Sequence, residues 1–229
     1  MSVQAIPAAA PATAPQTAGS LSISQQIAGF AANLTWKQIP KSTRENAKYH
    51  ILDAVGTALA ATRFDFAQHA LSGLLSIADG GKNAIIGMSV KLPLRDAALL
   101  NGILAHGLDY DDTHPGAIVH PSSSAFPCAL ALGEHLDASG KDLLTAYALG
   151  VEISTRVGVA AHGLMHAMGF HTTGIAGHFG CAVAAGKMFN LSPAKLALAQ
   201  GLAGSTTRSE EHTSELQSHL NLVCRLLLE

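Results

Sequence analysis

The chain has 229 residues, 48% of them hydrophobic and only 13% charged, which is enough apolar material for one sizeable core and too much for a disordered chain. With 14 basic and 16 acidic side chains and no basic run, it lacks the row of cations that a phosphate backbone demands, which excludes nucleic acid as a partner. Cys128, Cys181 and Cys224 are odd in number and show no CxxC spacing. This argues against a disulfide scaffold or an iron–sulfur ligand set, and for a reducing, cytoplasmic setting.

Residues 1–20 are rich in Ala, Pro and Thr and uncharged, without the basic and continuous apolar regions of a signal peptide, and are expected to form a disordered leader. From residue 21 a helical period begins. Ile23, Ile27, Phe30 and Leu34 fall on one face, with Ser22 or Ser24 as the cap. Ser42 and Glu45 have capping-box spacing ahead of the stripe Ala47, Ile51, Ala54 and Ala58, which predicts a second, longer helix. A third helix is expected over 66–77, closed by Gly80 and Gly81, and a short strand over 83–87. Pro93 suits the first turn of a helix carrying Leu100, Leu104 and Leu108, predicted to end by His114 because Pro115 restricts the residue before it.

After a loop, further helices are predicted from Ser122–Ser124 to about Leu136, from Asp142 to about Met165, from Thr172 or Thr173 to near Phe189, and from Ser192–Pro193 to about Ala203. Gly174, Gly177 and Gly180 recur every third residue and invite close approach by another helix. The stretch 157–186 lacks Asp, Glu, Lys and Arg, yet its histidines and glycines keep every apolar run far below the ~20 residues that cross a bilayer. No membrane partner is expected. The fold class is all-α, roughly eight helices with minor strand content, over residues 21–207.

Residues 208–229 (RSEEHTSELQSHLNLVCRLLLE) depart from the small-residue pattern before them. Arg208 and Arg225 stand against Glu210, Glu211, Glu215 and Glu229, so the whole net charge of −2 lies in this tail. It resembles the in-frame translation of a sequencing adapter, with a barcode at His219, Leu220 and Asn221. A non-native tail is therefore expected, with Cys224 and the tail histidines carrying no function.

The densest polar cluster is AHGLDYDDTHPGAIVHPSS, residues 105–123. On a helix, His106, Asp109, Asp112 and Thr113 share one face while Tyr110 and Asp111 point elsewhere. Carboxylates beside an imidazole suit proton transfer, and aspartates at a helix C-terminus oppose the macrodipole and so need another reason to be there. A second cluster is GFHTTGIAGH, residues 169–178. There His171 precedes a helix whose N-terminal amides suit a substrate carboxylate, whereas His162, His166 and His178 read as packing histidines. Two other readings stay open from the residues alone: a metal-dependent enzyme using Asp109, Asp111 and Asp112, or His106 with an aspartate, and a non-catalytic helical scaffold.

Two segments carry a resemblance. LNGILAHGLDYDDTH followed by His120-Pro121-Ser122, and GFHTTGIAGHFGCAVAAGKMFNLSPAKLALAQGLAGS, resemble the two active-site segments of the MmgE/PrpD family of 2-methylcitrate dehydratases, cis-aconitate decarboxylases and iminodisuccinate epimerases. The resemblance covers about residues 21–207. It implies the helical large domain of a homodimeric, metal-independent and cofactor-free lyase or isomerase acting on di- and tricarboxylates. By motif, Asp109, Thr113, His120 and His171 match active-site positions. His120 is then expected as general acid/base and Asp109 as an orienting or proton-shuttling group, with Thr113 and His171 binding substrate oxygens. The resemblance also puts the family's catalytic lysine and lid domain after residue 207. A truncated, inactive fragment of an active parent is therefore expected.

Overall fold

The computed structural model describes residues 21–207; the expected leader (1–20) and adapter-like tail (208–229) lie outside the described residues. Among the described residues there are nine α-helices: α1 (Ile23–Asn33), α2 (Lys41–Ala61), α3 (Asp65–Leu75), α4 (Leu94–His106), α5 (Ser122–His135), α6 (Gly140–Ala160), α7 (Leu164–Ala167), α8 (Thr172–Met188) and α9 (Pro193–Thr206). Two-residue strands β1 (Asn83–Ala84) and β2 (Lys91–Leu92) form a small antiparallel ladder. The all-α expectation holds, and strand content is minor.

The centre is the α6–α8 pair. Gly180 lies so close to α6 that a methyl group there would strike Ser154 Oγ and the Gly150 carbonyl. Gly177 does the same for α5, where Ser124 Oγ fills the space that a side chain would take. Helix α5 packs on both, α4 on α5 and α2 on α4, while α9 covers the other side of α8 and α1 lies on α9. Leu100, Leu104, Leu132, Leu149, Ile153 and Leu196 are the bulky apolar side chains buried in these interfaces. Each contributes about 1.5–3 kcal/mol by leaving water.

Serine caps set three helix starts, those of α1 and α9 as expected and that of α6 at Gly140 rather than at the expected Asp142. Ser22 and Ser139 each accept a hydrogen bond from the backbone N–H three residues on, and the Gln25 and Asp142 side chains accept from the cap N–H groups in return. Ser192 accepts from the Lys195 N–H, with Pro193 in the first turn.

Three expectations need correcting. In α1 the fully buried residues are Ala28 and Ala31, with Ile27 and, just past the helix end, Leu34 half-buried against the same cluster, while Ile23 is 75% and Phe30 48% exposed; small residues permit close packing there, and only half of the bulky stripe faces the core. In α2 the capping box does not form: the helix starts at Lys41 after Pro40, and Glu45 pairs with Lys48 instead. Helix α4 stops at His106, with Gly107 as its cap, rather than running to His114.

The α6 segment also ends sooner than expected. His162 (φ 49°) and Gly163 (φ 76°) turn the chain before the short α7. By length and composition α6 is apolar enough to cross a membrane, with a mean hydropathy of 1.2. Half of it is buried against other helices and its first turn carries a capping box, as befits a core helix.

Candidate active site

The early end of α4 creates the site. From Gly107 to Pro121 the chain forms a loop that crosses the N-terminal ends of α5 and α8, with Asp109 (φ 51°) and Ile118 (φ 54°) in left-handed conformations. Two kinds of anchor hold it. Ala117 and Val119 are buried against Ala176 of α8 and Val157 of α6, where Gly158 leaves room for them. The His114 N–H donates to the Val119 carbonyl at 2.9 Å, closing a small bridge.

The second anchor is polar. Asp112 accepts from the Ser122 N–H at 3.1 Å and the Ser122 hydroxyl at 2.8 Å; the Ser122 oxygen in turn lies 2.6 Å from the Tyr147 hydroxyl of α6. Burial pushes the Asp112 carboxyl above its ordinary pKa despite the Ser122 bonds, and pushes the Tyr147 hydroxyl up as well. Tyr147 therefore stays protonated and donates to Ser122, which donates to Asp112.

At the mouth, three imidazoles meet over one carboxylate. His106 Nδ1 lies 3.0 and 3.2 Å from the two oxygens of Asp111, whose side chain is fully buried. His120 Nδ1 is 3.5 Å from the same Asp111 and 3.3 Å from Thr113 Oγ, and its Nε2 faces Asp109 at 3.7 Å. The ring centre of His106 is 5.1 Å from that of His120 and 5.9 Å from that of His171. His120 is fixed from behind, because its N–H donates to Thr173 Oγ at 3.1 Å and its carbonyl accepts from the Ser123 hydroxyl at 2.7 Å.

His171 caps α8, with Nδ1 accepting from the Gly174 N–H at 3.4 Å; this leaves Nε2 to carry the proton and point a donor outward. The Asp111 hydrogen bond raises the pKa of His106 against the opposing effect of burial. His171 is exposed at one edge, yet desolvation of its ring, followed by repulsion from His106 and His120, lowers its pKa. The site thus pairs a charge-prone imidazole with one that stays neutral.

All four residues singled out from the sequence (Asp109, Thr113, His120 and His171) border this mouth. Their grouping differs from the helical-face expectation. His106 pairs with Asp111, not with Asp109 or Asp112, because the helix has already ended; the carboxylate expected to point elsewhere is the buried centre of the cluster. Asp109 is instead the outer carboxylate, its side chain 82% exposed. The trio Asp109, Asp111 and Asp112 does not converge either, since Asp112 turns to Ser122. Thr173, Ser122 and Tyr147 were not signalled by spacing, for they act through contacts across the fold.

Of the remaining histidines, His178 is buried with Nε2 2.7 Å from Thr206 Oγ, as a packing histidine should be. His162 and His166 are exposed on the turn around α7, contrary to that expectation.

Comparison with known proteins identifies relatives of this chain. The chain is 30% identical over 188 residues to a cis-aconitate decarboxylase of Aspergillus terreus, covering 79% of this chain and 38% of that enzyme. The cis-aconitate decarboxylases of Mus musculus and Homo sapiens are each 30% identical over 202 and 195 residues, covering 80% of this chain and 40% of each enzyme. The chain thus spans about two fifths of the length of these relatives. The profile described as MmgE/PrpD N-terminal domain matches residues 25–219, most of the chain. By that match, the chain belongs to the MmgE/PrpD family.

Proposed function

We propose that this chain carries the histidine half of the active site of a lyase acting on a di- or tricarboxylate, with decarboxylation of a cis-aconitate-like substrate as its reaction. The observation that carries this is the meeting of His106, His120 and His171 over the buried Asp111 at the N-terminus of α8. The names of the relatives favour decarboxylation over dehydration.

In this reading a substrate carboxylate lies against His106, the imidazole biased toward its charged form, and accepts from the Nε2–H of His171. The α8 amides add a partial positive charge. When carbon dioxide leaves, the electron pair of the broken C–C bond stays on substrate carbon, and His120 delivers the proton that quenches it. Thr113 and Asp109 flank the His120 ring on its two nitrogen sides, so both are placed to bind a substrate oxygen or to exchange the proton.

A tricarboxylate needs more positive charge than this site provides. Lys187 is engaged with the Ala32 carbonyl at 2.8 Å, and the family resemblance assigns the catalytic lysine to a later segment. We therefore take the 229-residue chain to bind substrate without turning it over. The parent is taken to be a homodimer in a reducing compartment, where Cys128 and Cys181 remain buried thiols.

The test is a titration of this chain with cis-aconitate, followed by imidazole nitrogen NMR, alongside an assay of carbon dioxide release. Shifts at His106, His120 and His171 with no release are expected. Unmoved signals at these three would refute the site, and release well above the uncatalysed rate would refute the need for a further segment.

A further inference from the structure

We propose that His106, Asp109, Asp111 and His120 form a binding site for a transition-metal dication of the zinc type, and that the bound ion inhibits the enzyme. One ligand atom from each of the four lies within 4.8 Å of all the others. A tetrahedral ion with bonds of about 2.0–2.1 Å holds its ligand atoms about 3.3–3.5 Å apart. His120 Nδ1 and Asp111 already sit at 3.5 Å. The His106–Asp111 contact must open slightly from 3.0 Å, and Asp109 is exposed enough to rotate inward.

The chemistry of the donors selects the ion. Two neutral imidazoles and two carboxylates balance a double positive charge, and imidazole nitrogen favours zinc, cobalt or copper over magnesium or calcium, which prefer all-oxygen sets. The scaffold around the ligands is rigid where it needs to be: Asp111 is buried, and the His120 backbone is held by Thr173 and Ser123. Such outer contacts fix ligand orientation. The ion occupies ring nitrogens of His106 and His120 that must carry protons for carboxylate binding and proton delivery, and is therefore an inhibitor. That consequence rests on the acid–base reading above, whereas binding of the ion does not.

The experiment is a Co2+ titration of the 229-residue chain in a buffer free of polycarboxylates, then displacement by Zn2+ and imidazole nitrogen NMR of the zinc-loaded protein. Because no substrate is present, the result is independent of whether the decarboxylase reading stands. One Co2+ per chain with visible d–d bands is expected, and Zn2+ should shift the ring nitrogens of His106 and His120 up to one equivalent. His106→Asn and His120→Asn should each weaken binding at least about tenfold, the lower end of what disturbing even the outer contacts of a metal site costs. Replacing His212, His219 and Cys224 together by Ala should leave binding intact. Zinc that leaves the His106 and His120 signals in place, or cobalt binding lost with the tail substitutions, would overturn the proposal. The NMR measurement on the unsubstituted chain decides the matter even if a variant fails to fold.

Discussion

At the scale of single residues, the site depends on two imidazoles 5.9 Å apart being pushed in opposite directions. His106 rests on a buried carboxylate and holds its proton more tightly; His171 is desolvated and, secondarily, faces two other imidazoles, and holds its proton less tightly. Asp111 is the cause of the first effect. Asp111→Asn should lower the pKa of His106, read by NMR titration, and destabilise the chain by about 1–3 kcal/mol, the cost of leaving buried polar groups poorly partnered. An unchanged His106 titration would show that Asp111 does not govern it. This residue also marks the limit of periodicity. His106, Asp109, Thr113 and His120 are legible as chemistry-bearing residue types, but the role of Asp111 depends on where the helix stops. Gly107 was the available signal for that stop, and Pro115 drew the predicted boundary too far along the chain.

At the scale of elements, the starts of α1 and α9 were legible because the Ser22 and Ser192 side chains bond locally, to the N–H three positions on, whereas the similar Ser139 cap, which starts α6 at Gly140 instead of Asp142, was missed. The loop 107–121 was not, because its geometry is set from a distance: Asp112 by Ser122, His120 by Thr173, and Val119 by α6 and α8. Asp112 is accordingly a positioning residue. Asp112→Asn puts a donor where Ser122 needs acceptors, so it should cost about 1–3 kcal/mol. Amide hydrogen exchange should quicken at Ser122 and through residues 109–121; exchange rates equal to those of the unsubstituted chain would remove Asp112 from that role. The glycines give a paired expectation of opposite sign. Gly180→Ala pushes a methyl into Ser154 and should destabilise by about 1–3 kcal/mol. Gly201→Ala, exposed within α9 with nothing near its added methyl, should stabilise by about 0.5–1 kcal/mol. Urea midpoints of the two variants decide whether close approach or helix propensity dominates at each position.

At the scale of the whole molecule, the same groups should shape the dependence of stability on pH. His106 has a native pKa above its ordinary 6.5, so the native state holds its proton more tightly than the unfolded chain. Its contribution is fully present below about pH 6.5 and disappears as pH rises through the raised value. His171 has the opposite sign: its native pKa lies below 6.5, so stability is lost as pH falls from about 6.5 through the lowered value. Asp112, raised from 3.8 by burial, favours the native state while protonated and withdraws that contribution as pH rises through its native pKa. Urea unfolding followed from about pH 4 to pH 8 should therefore bend near the histidine range. His171→Asn should reduce the loss on the acidic side, and His106→Asn the loss on the alkaline side, with Asp111→Asn imitating His106→Asn because it removes the cause of the raised pKa. Identical curves for the His106 and His171 variants would mean that the imidazoles titrate as one unit. The division into a charge-prone carboxylate anchor and a neutral hydrogen-bond donor, on which the proposed chemistry depends, would then fail with them.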